Sequence, residues 1–441
     1  MVETIDIGTT HAKQWKASRL LSALIIGGCL AFAVPASAKV IDPPTQAVNA
    51  PAKPVYASTD AEQIKALQNK LEVIQDQLTQ MTAGLASRST SGEGLPMHGF
   101  MDIGFATNSN RDPLTADPSG FYVGSLSFYL TPHFGDKVKA LVEPNFEIPP
   151  DGSVAVDLER VQIGYTFSDN ATAWAGRFHT PYGYWNTGFH HGAQMQTSVL
   201  RPRFLDFEDK GGILPAHMVG LWGTGKVRAG AGRFTYDVYA GNGPKIVDAG
   251  AGAGVLDINQ AGDDNHQAMV GFNLGYEFSG MMDGLRLAVH GLNGDVNSYT
   301  AGPAFLNTTT LGMMGGSAVY SSNEWEVMGE YYRFNDKDKS SGTGTHTSWA
   351  DYLQIGRSFN DLTPYVRFER TVLSQLDSYF NNQASGQSYA RQALGLRYNL
   401  NPKAALKFEL LNSSFKEDLA GTIPRTAFGY RSFYAQYAIG F

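Results

Sequence analysis

The chain has 441 residues, 49 of them glycine, with 25 Phe, 21 Tyr, a single Cys and a formal net charge of -7. That balance excludes the basic footprint of a nucleic-acid binder, and one cysteine excludes a disulfide framework. Charged residues are 17% of the chain, below the usual quarter, and a mean hydropathy of -0.22 still permits a membrane protein whose apolar residues are hidden in alternation.

The amino terminus carries Lys13, Lys16 and Arg19, then an apolar run from Leu20 to Val34, then the small residues Pro35-Ala36-Ser37-Ala38. This is the pattern of a secretory signal, residues 1–38, with cleavage expected after Ala38. The run is too short and wrongly flanked for a retained membrane helix. Cleavage there would remove the only cysteine, so the mature chain is expected to lack thiol chemistry. Residues 39–58 are rich in Pro and Ala and read as an extended linker.

Thr59-x-x-Glu62 is a capping box that opens a helix over residues 59–87. Ile64, Leu67, Leu71, Ile74, Leu78, Met81 and Leu85 then recur at alternating steps of three and four. That is a heptad seam of about three heptads, with mostly polar residues between. A lone helix with such a stripe is marginal in water, so it needs partners. The expectation is a short parallel coiled coil in the periplasm, with mixed Ile and Leu favouring a trimer. Residues 88–96 form a second linker.

From Met97 to Phe441 the chain repeats one unit, about ten alternating residues and then turn residues. About sixteen units are legible, and an even number of that size leaves an aqueous channel. In Lys137–Glu147, Val138, Ala140, Val142 and Phe146 form one face; Lys139, Glu143, Asn145 and Glu147 lie on the other. In Ala268–Phe278 the outward set is Val270, Phe272, Leu274, Tyr276 and Phe278. The closing segment alternates Phe433, Ala435, Tyr437, Ile439 and Phe441 against Tyr434, Gln436, Ala438 and Gly440. A terminal aromatic on such a strand is the end that outer-membrane barrels present to their assembly machinery, which makes Phe433, Tyr437, Ile439 and Phe441 a candidate assembly signal. Connections alternate as well: tight at Pro132–Asp136, Ser168–Asn170 and Asn399–Pro402, longer at Asn242–Gln267, Gly294–Thr309 and Asp336–Thr347. The fold class expected is an all-β transmembrane barrel of about sixteen antiparallel strands, preceded by the coiled-coil helix.

One connection stands apart. From Gly176 to Gly212 roughly 35 residues, rich in His, Arg and aromatics, separate two strands, too many for a turn. Inside the lumen this segment would narrow the pore, where charged side chains set which ions pass. His179, His190, His191, Arg201, Arg203, Asp206, Glu208 and Lys210 would line an eyelet. Arg160 and Arg177 would join them from adjacent strands, on the premise that Val161, Ile163, Tyr165, Trp174, Gly176 and Phe178 point outward. The constriction set is therefore Arg160, Arg177, His179, Arg201, Arg203 and Lys210.

The blocks Leu158-Glu-Arg-Val-Gln-Ile-Gly-Tyr-Thr-Phe167 and Gly176-Arg-Phe-His-Thr-Pro-Tyr-Gly183, with the closing strand ending at Phe441, resemble the phosphate-selective porin O and P family. The resemblance runs from about Met97 to Phe441. It implies a sixteen-stranded trimeric porin with an inward-folded third loop, passing phosphate, other anions or small organic acids. Members with an added amino-terminal coiled coil match the heptad segment. The expected lumen mixes Arg160, Arg177, Arg367, Arg397, Lys137, Lys139 and Lys407 with Glu143, Glu147, Asp237, Glu326, Glu330, Glu369 and Glu409, with no uninterrupted ladder of arginines.

The expected function is passive diffusion of small hydrophilic solutes across the outer membrane of a Gram-negative bacterium. Expected partners are the lipid bilayer, two further copies of the chain and, during biogenesis, the barrel assembly machinery. No catalytic group, cofactor, metal site or nucleic-acid partner is expected. A barrel sheath that houses or tethers a partner protein is the main rival, and an outer-membrane barrel enzyme is the other. Gly220-Leu-Trp-Gly-Thr-Gly-Lys226 imitates a phosphate-binding loop. Val227 stands where Ser or Thr must hold magnesium and no helix follows, so the segment is assigned to a hairpin turn.

Overall fold

A computed structural model describes residues 96–109, 119–148, 153–189, 192–247, 254–258, 264–299, 305–322, 324–340, 342–420 and 424–441. The signal, both linkers, the heptad seam and the pair His190-His191 lie outside the described residues.

The described chain forms one continuous sheet. Its strands are β1 (Met97–Asn108), β2 (Gly120–Leu130), β3 (His133–Phe134), β4 (Val138–Glu147), β5 (Ala155–Ser168), β6 (Ala171–His179), β7 (His217–Ala229) and β8 (Gly232–Gly241). After these come β9 (Lys245–Val247), β10 (Val255–Asp257), β11 (Met269–Phe278), β12 (Leu285–Tyr299), β13 (Phe305–Ser321) and β14 (Trp325–Asp338). The last five are β15 (Thr345–Arg357), β16 (Leu362–Val372), β17 (Tyr389–Asn401), β18 (Ala404–Phe415) and β19 (Phe428–Gly440). The short strands β3, β9 and β10 decorate the connections, and the other sixteen form an antiparallel wall. The wall closes where β1 meets β19, in register from Phe100↔Gly440 to Asn108↔Ser432. Gly99 and Phe441 add a reciprocal pair of backbone hydrogen bonds at 3.1 and 2.9 Å. Closure removes both sheet edges, so every wall strand is paired on both sides, as a bilayer requires.

The faces follow the period-two pattern. Ile163, Leu221, Val238, Val289, Leu394 and Leu410 stand exposed on the outside. An apolar band of this extent on a water-soluble protein would mark an interface or an aggregation surface; on a barrel it is the lipid face. On the inside, Glu143, Asn145, Asn273, Arg367, Lys407 and Glu409 are buried. Each of the sixteen alternating segments in the sequence corresponds to one wall strand.

Turns sort by end. Asp169-Asn170 joins β5 to β6, Gly230-Ala231 joins β7 to β8, and Pro402-Lys403 joins β17 to β18. The long connections lie at the opposite end. Two expected long loops are shorter than alternation suggests. β12 runs on to Tyr299 and β13 begins at Phe305, while β14 ends at Asp338 and β15 begins at Thr345. Most of the added residues are polar, chiefly Asn, Asp, Ser and Thr, and they pair across the hairpins without a regular apolar face to announce them. Gly220–Lys226 is likewise strand, inside β7, and the hairpin turn lies beyond it at Gly230-Ala231.

Candidate functional site: an inward loop and the cavity it leaves

The connection from Thr180 to Ala216 folds into the barrel interior. It contains a one-turn helix, Trp185–Gly188, and the 3-10 turns Arg203–Leu205 and Glu208–Lys210. Irregular backbone at membrane depth is tolerable where protein groups satisfy its N–H and C=O groups. The inner faces of β14 to β18 do this with charged side chains. The Glu330 carboxylate accepts the N–H groups of Tyr184 and Trp185 at 2.8 and 2.9 Å, together with the Tyr332 and Tyr352 hydroxyls, both at 2.8 Å. Glu409 accepts Val199 N–H at 3.1 Å, and Glu369 accepts Arg203 N–H at 2.8 Å. The Lys407 ammonium donates to the carbonyls of Ala193, Gln196 and Ser198 at 2.5, 3.4 and 2.9 Å. Arg397 donates to those of Gln194 and Gln196, and Arg367 to that of Leu200.

Two glycines of the Gly176–Gly183 block make this path possible. Gly183 has φ +62°, and a Cβ there would run into the Tyr332 hydroxyl and the Glu330 carboxylate. Gly176 has φ +130°, and a Cβ would meet the Val161 carbonyl. Both positions need a residue without a side chain.

Apolar packing completes the seating. Tyr182, Trp185, Phe204, Leu205, Ile213 and Leu214 are fully buried with Phe334, Tyr379 and Phe380. Ile246 on β9 and Leu256 on β10 join the same cluster, so three long connections converge inside the barrel. The short helix Ser378–Asn381 contributes Tyr379, whose hydroxyl donates to the Ile213 carbonyl at 2.8 Å. On the closing side, Val199 packs with Ala106, Ala393, Leu411 and Tyr434.

A cavity of about 710 Å³ remains against the opposite wall. Pro181, Thr187 and Gly188 border it on the loop side. Arg160, Gln162, Trp174, Trp222, Asp237 and Arg286 border it on the strand side, and Pro132, Gly135 and Asp136 lie where it reaches a tight turn. Lys139, Lys226 and Glu277 add further charge. Trp174 and Trp222 stack with ring centroids 6.2 Å apart, and Trp222 Nε1 donates to Asp237 at 3.0 Å. The Arg286 guanidinium lies 5.6 Å from the Tyr184 ring centre.

The six expected constriction residues separate. Arg160 and His179 line the cavity. Arg160 is tied to the fully buried Glu143 and lies over the Tyr129 ring. Arg177 pairs with Asp157 and Glu159 at 3.7 and 3.9 Å. Arg201 lies over Phe207 and donates to Asn186 Oδ1, and Arg203 lies over Phe415. Lys210 pairs with Glu147 at 2.6 Å. Arg201 and Arg203 therefore stabilise the loop's own packing, and Arg367, Arg397, Lys407, Glu330, Glu369 and Glu409 stabilise its seat.

The premise about β6 is corrected. Phe178 is fully buried in the interior cluster, and Trp174 lines the cavity instead of facing outward. On β6, Ala175 pairs with the outward Ile163 and Leu221, which turns Trp174 inward and leaves Arg177 in register with the outward Val161 and Val219. β5 separately carries a bulge. Glu143 pairs with Arg160 while the next residue, Pro144, pairs with Leu158, so Glu159 is an extra residue in β5. A bulge disturbs the alternation that sequence reading relies on. Trp174 stands on the opposite face of β6 from the one expected, and Trp222, Gln162, Lys226 and Arg286 escape sequence reading because their strands carry no local motif.

No protein-family model matches the chain, and no curated protein matches it. Solved structures similar to it include the outer-membrane expressed OmpT of Vibrio cholerae, at 11% identity and TM-score 0.49, covering 79% of this chain and 97% of that one. A Salmonella typhi OmpF complex with daunomycin is 13% identical with TM-score 0.47, covering 79% and 97%. The outer membrane channel DcaP of Acinetobacter baumannii is 10% identical with TM-score 0.47, covering 79% and 98%.

Proposed function

We propose that the chain is an outer-membrane porin through which small hydrophilic solutes diffuse down their gradients. The observation that supports this most is the asymmetric seating of the loop. It fills the side of the lumen along β14 to β18 and leaves a charged, tryptophan-lined cavity along β4 to β8. The cavity presents Lys139, Arg160, Lys226 and Arg286 opposite Asp136, Asp237 and Glu277. Lys226 and Glu277 are 3.4 Å apart, and Arg160 is tied to Glu143. That leaves Lys139, near the tight turn, and Arg286, which lies beside Tyr184 of the loop and is therefore the cation best placed to bias passage, with Asp237 as its acidic counterpart. Charge rings of this sort select by sign and size, and the reading is a mild preference for small anions such as phosphate or short organic acids. The seam Ile64 to Leu85 would hold three chains together on the periplasmic side. The carboxyl-terminal strand would be what the assembly machinery recognises.

Reversal potentials across a potassium chloride gradient test the proposal. Arg286→Ala is expected to shift permeability toward cations and Asp237→Asn toward anions. Channels that conduct but keep one reversal potential through both changes would remove this cavity from the conduction path. The buried cluster of three loops favours a second reading, a plugged barrel that houses or tethers a partner. Its signature is a folded barrel that never conducts.

A further inference from the structure

At the rim of the cavity, β6 ends and β7 begins with a pair of histidines. His179 and His217 are cross-strand partners whose rings stand nearly perpendicular, with centroids 4.7 Å apart. Glu159, the extra residue of the β5 bulge, points a carboxylate oxygen to within 2.8 Å of His217 Nε2. One ligand atom from each of Glu159, His179 and His217 lies within 4.8 Å of the others, and all three residues are buried. From the loop, Glu208 holds the far side of the His217 ring. Its Oε2 is 3.2 Å from Nδ1, and its Oε1 accepts His217 N–H at 3.0 Å. Phe207 stacks on the His217 ring at 5.6 Å.

We infer that His179, His217 and Glu159 form a binding site for a divalent transition metal of the zinc class, with Glu208 as the residue that orients His217. Two imidazoles and one carboxylate are a donor set that suits such an ion. A metal-bound histidine characteristically donates its other ring N–H to a carboxylate, which fixes its tautomer and raises its basicity; Glu208 stands in that position. A proton on His217 shared by Glu159 and Glu208 would account for those two contacts. The His179 imidazole, set edge-on to the His217 and Phe207 rings, adds a third ligand atom within 4.8 Å of the other two, which is what an ion would use. Binding replaces the proton between His217 Nε2 and Glu159 by the ion and releases it to solvent. The four residues come from β5, β6, β7 and the loop, so an ion there would pin the loop to the wall beside the cavity that His179 lines. No metal-ligand spacing announces the site in sequence, because its members sit at positions 159, 179, 208 and 217.

Isothermal titration of zinc ion into the detergent-folded full chain, stripped with chelator, tests this. One saturable site per chain is expected. His179→Ala and His217→Ala should abolish it, and Glu208→Gln should weaken it about 10–100-fold, the usual effect of removing an orienting partner. A control with His190→Ala and His191→Ala should bind as the parent does. Far-UV circular dichroism confirms that each variant keeps its barrel; where a histidine variant does not fold, Glu208→Gln alone decides. The inference fails if the stripped parent shows no saturable site, if binding survives His179→Ala, or if Glu208→Gln leaves affinity unchanged.

Discussion

Lys407 shows how single side chains keep an irregular segment inside this barrel. It is fully buried on β18, and its ammonium satisfies three loop carbonyls. Lys407→Met keeps the stem but strands those carbonyls, a cost of about 1–3 kcal/mol for buried groups left unsatisfied. Amide exchange across residues 193–203 is expected to accelerate while exchange in the wall strands stays unchanged; equal protection in both proteins would show that the lysine does not hold the loop. Asp377 gives a residue-scale pH dependence. Its Oδ1 accepts the Tyr379 N–H at 3.0 Å at the start of the short helix, and the Asp336 carboxyl, His346 and Asp338 lie nearby. Burial pushes the Asp377 carboxyl up to about 6. Its folded-state pKa lies above the ordinary value, so the seated loop binds more protons than the released one. The seat is therefore firmest in acid and weakens as pH rises from the ordinary carboxylate range through about 6. Exchange across residues 375–385, corrected for its intrinsic pH dependence, should be faster at about pH 7.5 than at about pH 5. Asp377→Asn, which keeps the cap acceptor, should flatten the difference. A parent with no such pH dependence would contradict the assignment.

Among the elements, the loop from Thr180 to Ala216 decides what the lumen can do, and Gly183 is where it is most exposed to a test. Alanine at φ +62° is strained by roughly 1 kcal/mol, and its Cβ would displace the Glu330 carboxylate that four donors share. Gly183→Ala is expected to loosen the loop and raise single-channel conductance; an unchanged conductance would mean that this end of the loop does not bound the passage. Much of this element was legible in sequence. A stretch that long, with Gly at both ends of its first block, fits neither a turn nor a strand, and the interior is the natural place for it. Its anchors were legible only as lumen charge. Glu330, Glu369, Lys407 and Arg367 alternate correctly on their strands, but alternation does not say whether an inward charge faces solute or a loop backbone. That depends on partners 146–214 residues away in the chain. Arg201 and Arg203 look like lining residues in sequence for the same reason. The Glu159 bulge is hidden because one extra residue shifts the period-two pattern at the start of β5, and the cavity tryptophans because small and aromatic residues alternate on β6 and β7 without a clear apolar face.

Over the whole molecule, closure is the feature that alternation carries best. Sixteen wall strands, short turns at one end, long connections at the other and an apolar exterior all follow from one repeated pattern. Opposing loops and walls then divide the interior into a packed side and a cavity side. That division is the basis for reading the barrel as a selective passage instead of a wide pore. Single-channel recording of the purified, refolded full chain across a potassium chloride gradient tests it most directly. Stepwise conductance in groups of three, with a reversal potential of definite sign, is expected. A barrel that folds, inserts and stays silent would contradict it and leave the chain as a plugged or housing barrel.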